Sequence, residues 1–143
     1  MRVISHRGNL DGPDPAIENQ PDHISTVLYD VDCEVDVWYT DAWYLGHDEP
    51  LYKIDYAFLK LPSLWLHAKN IQALEILLKD DRVNCFWHDK DKYTLTSQGY
   101  VWAYPNEKTV YGNRTVAVLP EWHNTDATKY FGVCTDYVKR YLK

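Results

Sequence analysis

A chain of 143 residues is long enough for one core that buries roughly two thirds of its unfolded surface, and it would be crowded as two, so a single domain over residues 1–143 is expected. Its formal net charge of -6 argues against a nucleic-acid backbone as the main partner, because phosphate-backbone binding leans on clustered Lys and Arg. Cys33, Cys85 and Cys134 are odd in number and far apart, which suits buried reduced thiols better than a disulfide framework. No stretch approaches the ~18 apolar residues of a membrane span, and the chain enters a strand at once without a signal-peptide run, so a cytoplasmic location is the default expectation. The 12 Tyr and 6 Trp either fill a core or line a groove that packs against sugar or glycerol faces.

Val3 to His6 reads as a first strand, followed by a Gly- and Pro-rich loop, Gly8 to Pro15, too broken for a helix and expected to lie over a site. Pro21 can open a helix whose Ile24, Val27 and Leu28 fall at i, i+3 and i+4, enough to pack one face on a sheet. Cys33 to Trp38 reads as the second strand. Alternation puts Glu34 and Asp36 on one face and Cys33, Val35 and Val37 on the other. A tight turn at Thr40-Asp41 lets Tyr44-Leu45 return the chain, so that His47 arrives near the two carboxylates.

Leu64 to Lys69 alternates again, with His67 and Lys69 sharing a face. Asn70 can cap a helix running to about Leu78, with Ile71, Leu74, Leu77 and Leu78 toward the sheet, and Val83 to Trp87 follows as a strand. Strand, helix, strand alternation of this kind is the pattern of parallel α/β structure. Tyr93 to Tyr104 breaks it, reading as a β-hairpin about Ser97-Gln98-Gly99. The Pro105 to Asn113 loop is the one plausible flexible insertion. Thr115 to Leu119 and Phe131 to Thr135 read as the last strands, and Asp136 as the cap of a short terminal helix carrying Lys139, Arg140 and Lys143. The total is six or seven strands and two or three helices.

Two carboxylates side by side on one strand face repel each other, and a divalent cation relieves that repulsion. Hard oxygen ligands suit Mg²⁺ or Ca²⁺, with the preference tilting toward Mn²⁺ or Zn²⁺ if an imidazole joins them. His6 and His47 each follow a strand-like run, where imidazole can exchange protons near neutral pH. Arg7 offers a planar guanidinium and Lys69 a point charge to phosphate oxygens. His23, His88 and His123 fit no motif, although His88 follows a strand end where it can line a cleft.

Taken together, His6-Arg7-Gly8, then Glu18-Asn19, then Glu34-Val35-Asp36-Val37-Trp38, then His47-Asp48, with Gly132 to Tyr137 at the other end, resemble the glycerophosphodiester phosphodiesterase family. The likeness is dense over residues 2 to 48, returns weakly at Leu66 to Lys69, and fails in the middle. It implies a TIM-barrel-like α/β fold; because such barrels usually take about 250 residues, the expectation is a trimmed or incomplete (β/α) barrel with the hairpin replacing part of the middle. It further implies metal-dependent hydrolysis of a small-molecule phosphodiester, with His6 and His47 as acid and base, Arg7 and Lys69 on substrate, and Glu34, Asp36 and Glu18 at the metal. The family places a third carboxylate two residues before the lysine, where this chain has His67. His67 therefore either ligates the metal or is a hydrogen-bonded interior histidine, and Glu18 either completes the shell or orients Arg7 or His6. The alternative is an inactive phosphodiesterase-like protein that binds a phosphorylated or sugar ligand.

Overall fold

A computed structural model describes residues 1–104 and 113–142. Its strands are β1 (Arg2–His6), β2 (Asp32–Tyr39), β3 (Trp43–Leu45), β4 (Tyr52–Ile54), β5 (Leu64–Ala68), β6 (Cys85–Phe86), β7 (Tyr93–Leu95), β8 (Val101–Ala103), β9 (Thr115–Val118) and β10 (Gly132–Thr135). They form one curled sheet. A parallel run passes through β6, β5, β2, β1, β10, β9 and β8, and antiparallel β7 is added beyond β8. Antiparallel β3 and β4 extend from the C-terminal half of β2.

The expected α/β TIM-barrel-like fold is overturned, because the sheet is mixed and only half closes into a barrel. The described α-helices are α1 (Pro21–Val27), α2 (Tyr56–Leu59) and α3 (Ile71–Leu77), all short. Between β9 and β10, where a (β/α) unit would carry a helix, Pro120 opens a single 3₁₀ turn, Pro120–Trp122, with Leu119 before it in the left-handed region at φ 46°. A proline, a left-handed residue and a polar Asn124-Thr125-Asp126 run cannot sustain an amphipathic helix. The chain end is likewise a 3₁₀ turn, Val138–Arg140, whose cap position is Tyr137 and not Asp136. The expected Pro105–Asn113 loop lies, apart from Asn113, outside the described residues, as does Lys143.

The two faces of the sheet are built from opposite phases of the same strands. Cys33, Val35 and Val37 of β2 with Leu64, Leu66 and Ala68 of β5 pack outward against Ile24 and Val27 of α1 and Ala73 and Leu77 of α3. Each such buried aliphatic side chain contributes about 1.5–3 kcal/mol. Asn70 caps α3 by accepting from Ala73 N at 3.2 Å, and its amide also clasps Tyr39 of β2. The concave side holds a second layer of Ile4, Trp65, Phe86, Trp102, Val116, Val118 and Cys134. This apolar layer is the floor beneath the polar residues at the strands' C-terminal ends.

The three cysteines are free and buried. Among the described residues no helix is long and apolar enough to cross a membrane. The hairpin expected over Tyr93 to Tyr104 is present as β7 and β8.

Candidate metal centre

β2 changes partners half-way along its length, and the candidate centre is built at that switch. Its first residues pair with β1 through Asp32 to Glu34, and its last with β3 from Val37 to Tyr39. The backbone groups left between these ladders are taken by loops. Glu34 O accepts from Arg7 N at 3.0 Å and Asp36 O from Gly46 N at 3.1 Å. Asp36 N donates to Asn19 Oδ1 at 2.9 Å. Unpaired backbone groups at a buried position are costly; satisfying them draws the loops after β1 and β3 onto one spot, and with them Arg7, Asn19 and His47. Arg7 and Asn19 both turn with positive φ, 56° and 58°.

From β2, Glu34 and Asp36 face the concave side, and β5 is registered so that His67 lies opposite Asp36. His67 Nδ1 stands 3.2 Å from Asp36 Oδ1 and 3.6 Å from Glu34 Oε1. One ligand atom from each of the three residues falls within 4.8 Å of the others. Glu34 and Asp36 are buried, and Glu34 Oε2 and Asp36 Oδ1 have no hydrogen-bond partner among the described residues. The approach of His67 is therefore close in distance but off the direction of a hydrogen bond. Asn19 Nδ2 meanwhile donates to Asp36 Oδ2 at 2.9 Å, so the Asn19 amide holds this carboxylate and its own backbone N–H together.

The electrostatics follow from burial opposed by charge. Burial disfavours charge on His67, but Asp36 and Glu34 outweigh it and push its pKa up to about 9. Burial also opposes ionisation of Asp36, yet His67, Arg7 and Lys69 hold its pKa well below the ordinary carboxylate range. Lys69 Nζ lies 3.8 Å and Arg7 Nε 3.2 Å from Asp36.

Beside this group, His6 Nδ1 lies 2.7 Å from Asp136 Oδ1, and Asn9 Nδ2 donates to that same oxygen at 2.8 Å. A carboxylate can only accept, so His6 carries its proton on Nδ1 and leaves Nε2 free, 4.0 Å from Glu34 Oε2. Burial opposes charging His6, but Asp136 and Glu34 raise its pKa overall. Glu121 fixes Asp136 in turn, its Oε1 accepting from Asp136 N at 2.9 Å and from Thr135 Oγ1 at 3.0 Å.

No family model, curated protein or solved structure matches this chain. Its chemistry is therefore read from the residues themselves. His6, Arg7, Glu18, Glu34, His47, His67 and Lys69 all line one cavity of about 520 Å³, within the range of roughly 300–1,000 Å³ common for small-molecule sites. Glu18 stands apart from the triad, its carboxylate accepting from Asn9 at 2.8 Å and facing Arg7 at 3.5 Å. His47 is on the cavity rim, two-fifths exposed, with Nδ1 on its neighbour Asp48 at 2.7 Å.

Some contributors were not legible, or only faintly so, in the sequence. Asn9, Asn19 and Glu121 act through buried hydrogen bonds that no local pattern reveals. Asp136, read as a helix cap, instead faces His6 because β10 pairs in parallel with β1 and brings Thr135 level with Ser5. His88, whose position after a strand end is the only hint, lines the same cavity.

Proposed function

We propose that the chain is a phosphoric diester hydrolase that works with a divalent cation held by Glu34, Asp36 and His67, in the manner of the glycerophosphodiester phosphodiesterases its motifs resemble. The observation that carries this reading is the gathering of ligand atoms from Glu34, Asp36 and His67 within 4.8 Å of one another, where Glu34 Oε2 and Asp36 Oδ1 are buried without a hydrogen-bond partner among the described residues. Buried polar atoms are almost always satisfied, and a cation is the partner that two acceptors and an imidazole share. The donor set fits Mg²⁺ or Ca²⁺ with completing waters, and the imidazole moves the preference toward Mn²⁺. When bound, the cation supplies positive charge to a phosphoryl oxygen.

The remaining roles fall to the chain's own groups. Arg7 and Lys69, on opposite flanks of Asp36, hold the non-bridging phosphate oxygens and stabilise charge that develops on them. His6, oriented by Asp136, takes the proton of the attacking hydroxyl on Nε2. His47, across the cavity rim, returns a proton to the leaving oxygen.

One observation favours the second reading, a non-catalytic phosphate- or sugar-binding protein. Arg7, Lys69 and a protonated His67 already offset the charge of Glu34 and Asp36 without any cation. Phosphorus NMR on a panel of glycerophosphodiesters, with Mg²⁺, Ca²⁺ or Mn²⁺ and again with chelator, separates the two. Metal-dependent conversion to a monoester or a cyclic phosphate is expected; no turnover with any metal would leave the binding reading standing.

A further inference from the structure

A succession of rings leads away from the triad along one wall of the cavity. His88 stands 6.1 Å from His67, Tyr104 packs against His88 at 4.7 Å with the rings tilted by 30°, and Trp122 meets Tyr104 edge to face at 6.2 Å and 82°. Trp122 lines the cavity and yet is 56% exposed, an unusual state for the largest apolar side chain. His88 is the opposite case. Its side chain is only 10% exposed, and neither ring nitrogen has a hydrogen-bond partner among the described residues. Asp91, 3.5 Å from Nδ1, lies outside hydrogen-bond geometry. Asp89 also lines the cavity at this end.

We infer that this wall is a subsite for a sugar ring, so that the phosphodiester cleaved carries a sugar on one side. The inference rests on the hydrolase reading for the phosphate but on separate residues for the ring. A pyranose has an apolar C–H face and a hydroxyl edge. Trp122 offers an exposed flat apolar face and Tyr104 a second one at 82° to it, Asp89 offers an acceptor pair at the same end, and His88, its ring nitrogens buried, backs Tyr104 from behind. Three other occupants fit less well. A nucleobase is best held between parallel faces, and an 82° corner is not such a slot. An acyl chain would lay apolar carbon against the Asp89 carboxylate, a costly arrangement. A small alcohol such as glycerol has no ring face to lay on Trp122.

The test compares glucose 1-phosphate with glycerol 3-phosphate by saturation-transfer NMR and titration, on the wild-type chain and on Trp122→Ala, Trp122→Phe and Asp89→Asn. The expected result is saturation concentrated on the sugar ring protons and affinity for the sugar phosphate about tenfold above that for glycerol 3-phosphate, the size one stacking face can supply. Trp122→Ala should bring that ratio close to one, and Trp122→Phe should restore part of it. Because Trp122 is mostly exposed, its variants keep the fold, which circular dichroism checks. Equal affinity for the two ligands in the wild-type chain, or an unchanged ratio in Trp122→Ala, would overturn the sugar subsite. Failure to cleave any diester would overturn the hydrolase reading alone, since the binding ratio does not depend on turnover.

Discussion

The triad should exchange a proton for a metal ion, and His67 is where the exchange can be measured. Without metal, its imidazole stays protonated up to about 9 instead of the ordinary 6.5. At about 1.4 kcal/mol per pH unit this difference corresponds to about 3 kcal/mol of folding stability. The sign is that of a raised pKa: the contribution is fully present below pH 6.5 and is lost as pH rises through 9. The depressed pKa of Asp36 reflects the same contact and is not counted again. For a chain of this size the loss should lower the melting temperature by roughly 10 °C. Thermal melts in chelator from pH 6 to 10, on wild type and His67→Gln, check it. Burial also raises the Cys33 and Cys134 thiols, which ionise in the unfolded chain from about pH 8.5 and destabilise both proteins, so the difference between the two curves is the quantity to read. A bound cation must displace the His67 proton, so apparent metal affinity should climb by up to tenfold per pH unit between 6.5 and 9. Parallel melting curves for the two proteins, or a metal affinity flat across that range, would refute the reasoning.

Asn19→Ala removes one hydrogen bond to an ionised carboxylate and one to a backbone N–H, and should cost about 3 kcal/mol in chemical denaturation as well as weaken metal binding in calorimetry. His6→Ala should lower the turnover of any active diester by about 10²–10⁴-fold with the fold retained by circular dichroism, and Asp136→Asn should shift the pH profile of the same assay because the His6 tautomer is no longer enforced. His47→Ala should reduce turnover by a similar factor, most for diesters with poor leaving groups; uniform loss across leaving groups would argue against its role as acid. Gly46→Ala would drive a Cβ into the Glu49 carbonyl at a backbone φ of +155°, and a loss of more than about 2 kcal/mol in a denaturant melt is expected.

Period-two alternation made the site strands legible. Glu34 with Asp36, and His67 with Lys69, each share a concave-facing side because strand geometry leaves no other choice. The α3 cap was equally local, since Asn70 needs only the next turn to act on. What local pattern could not supply was which strands become neighbours. The barrel expectation came from the family resemblance and from the alternation of residues 1–87; beyond them strands are short and Pro120 breaks the only described interval long enough for a helix. The short β4 strand and α2, at Tyr52–Ile54 and Tyr56–Leu59, went unread because neither carries enough residues to show a period. Asp136 was misjudged for the same reason, its partner lying 130 residues away.

That separation has a kinetic side. β1 and β10 are neighbours in space although they lie at opposite ends of the described chain, so their pairing has a high loop-closure cost and belongs among the slow, late contacts of folding. The α1–β2–β5–α3 half, held by contacts of shorter range, can collapse earlier and bring Glu34, Asp36 and His67 together. His6 acquires its orienting carboxylate only when the final strand docks. On the proposed function this order would assemble the candidate cation site before the His6–Asp136 pair beside it, and an intermediate stalled between the two should bind Mn²⁺ without cleaving a diester.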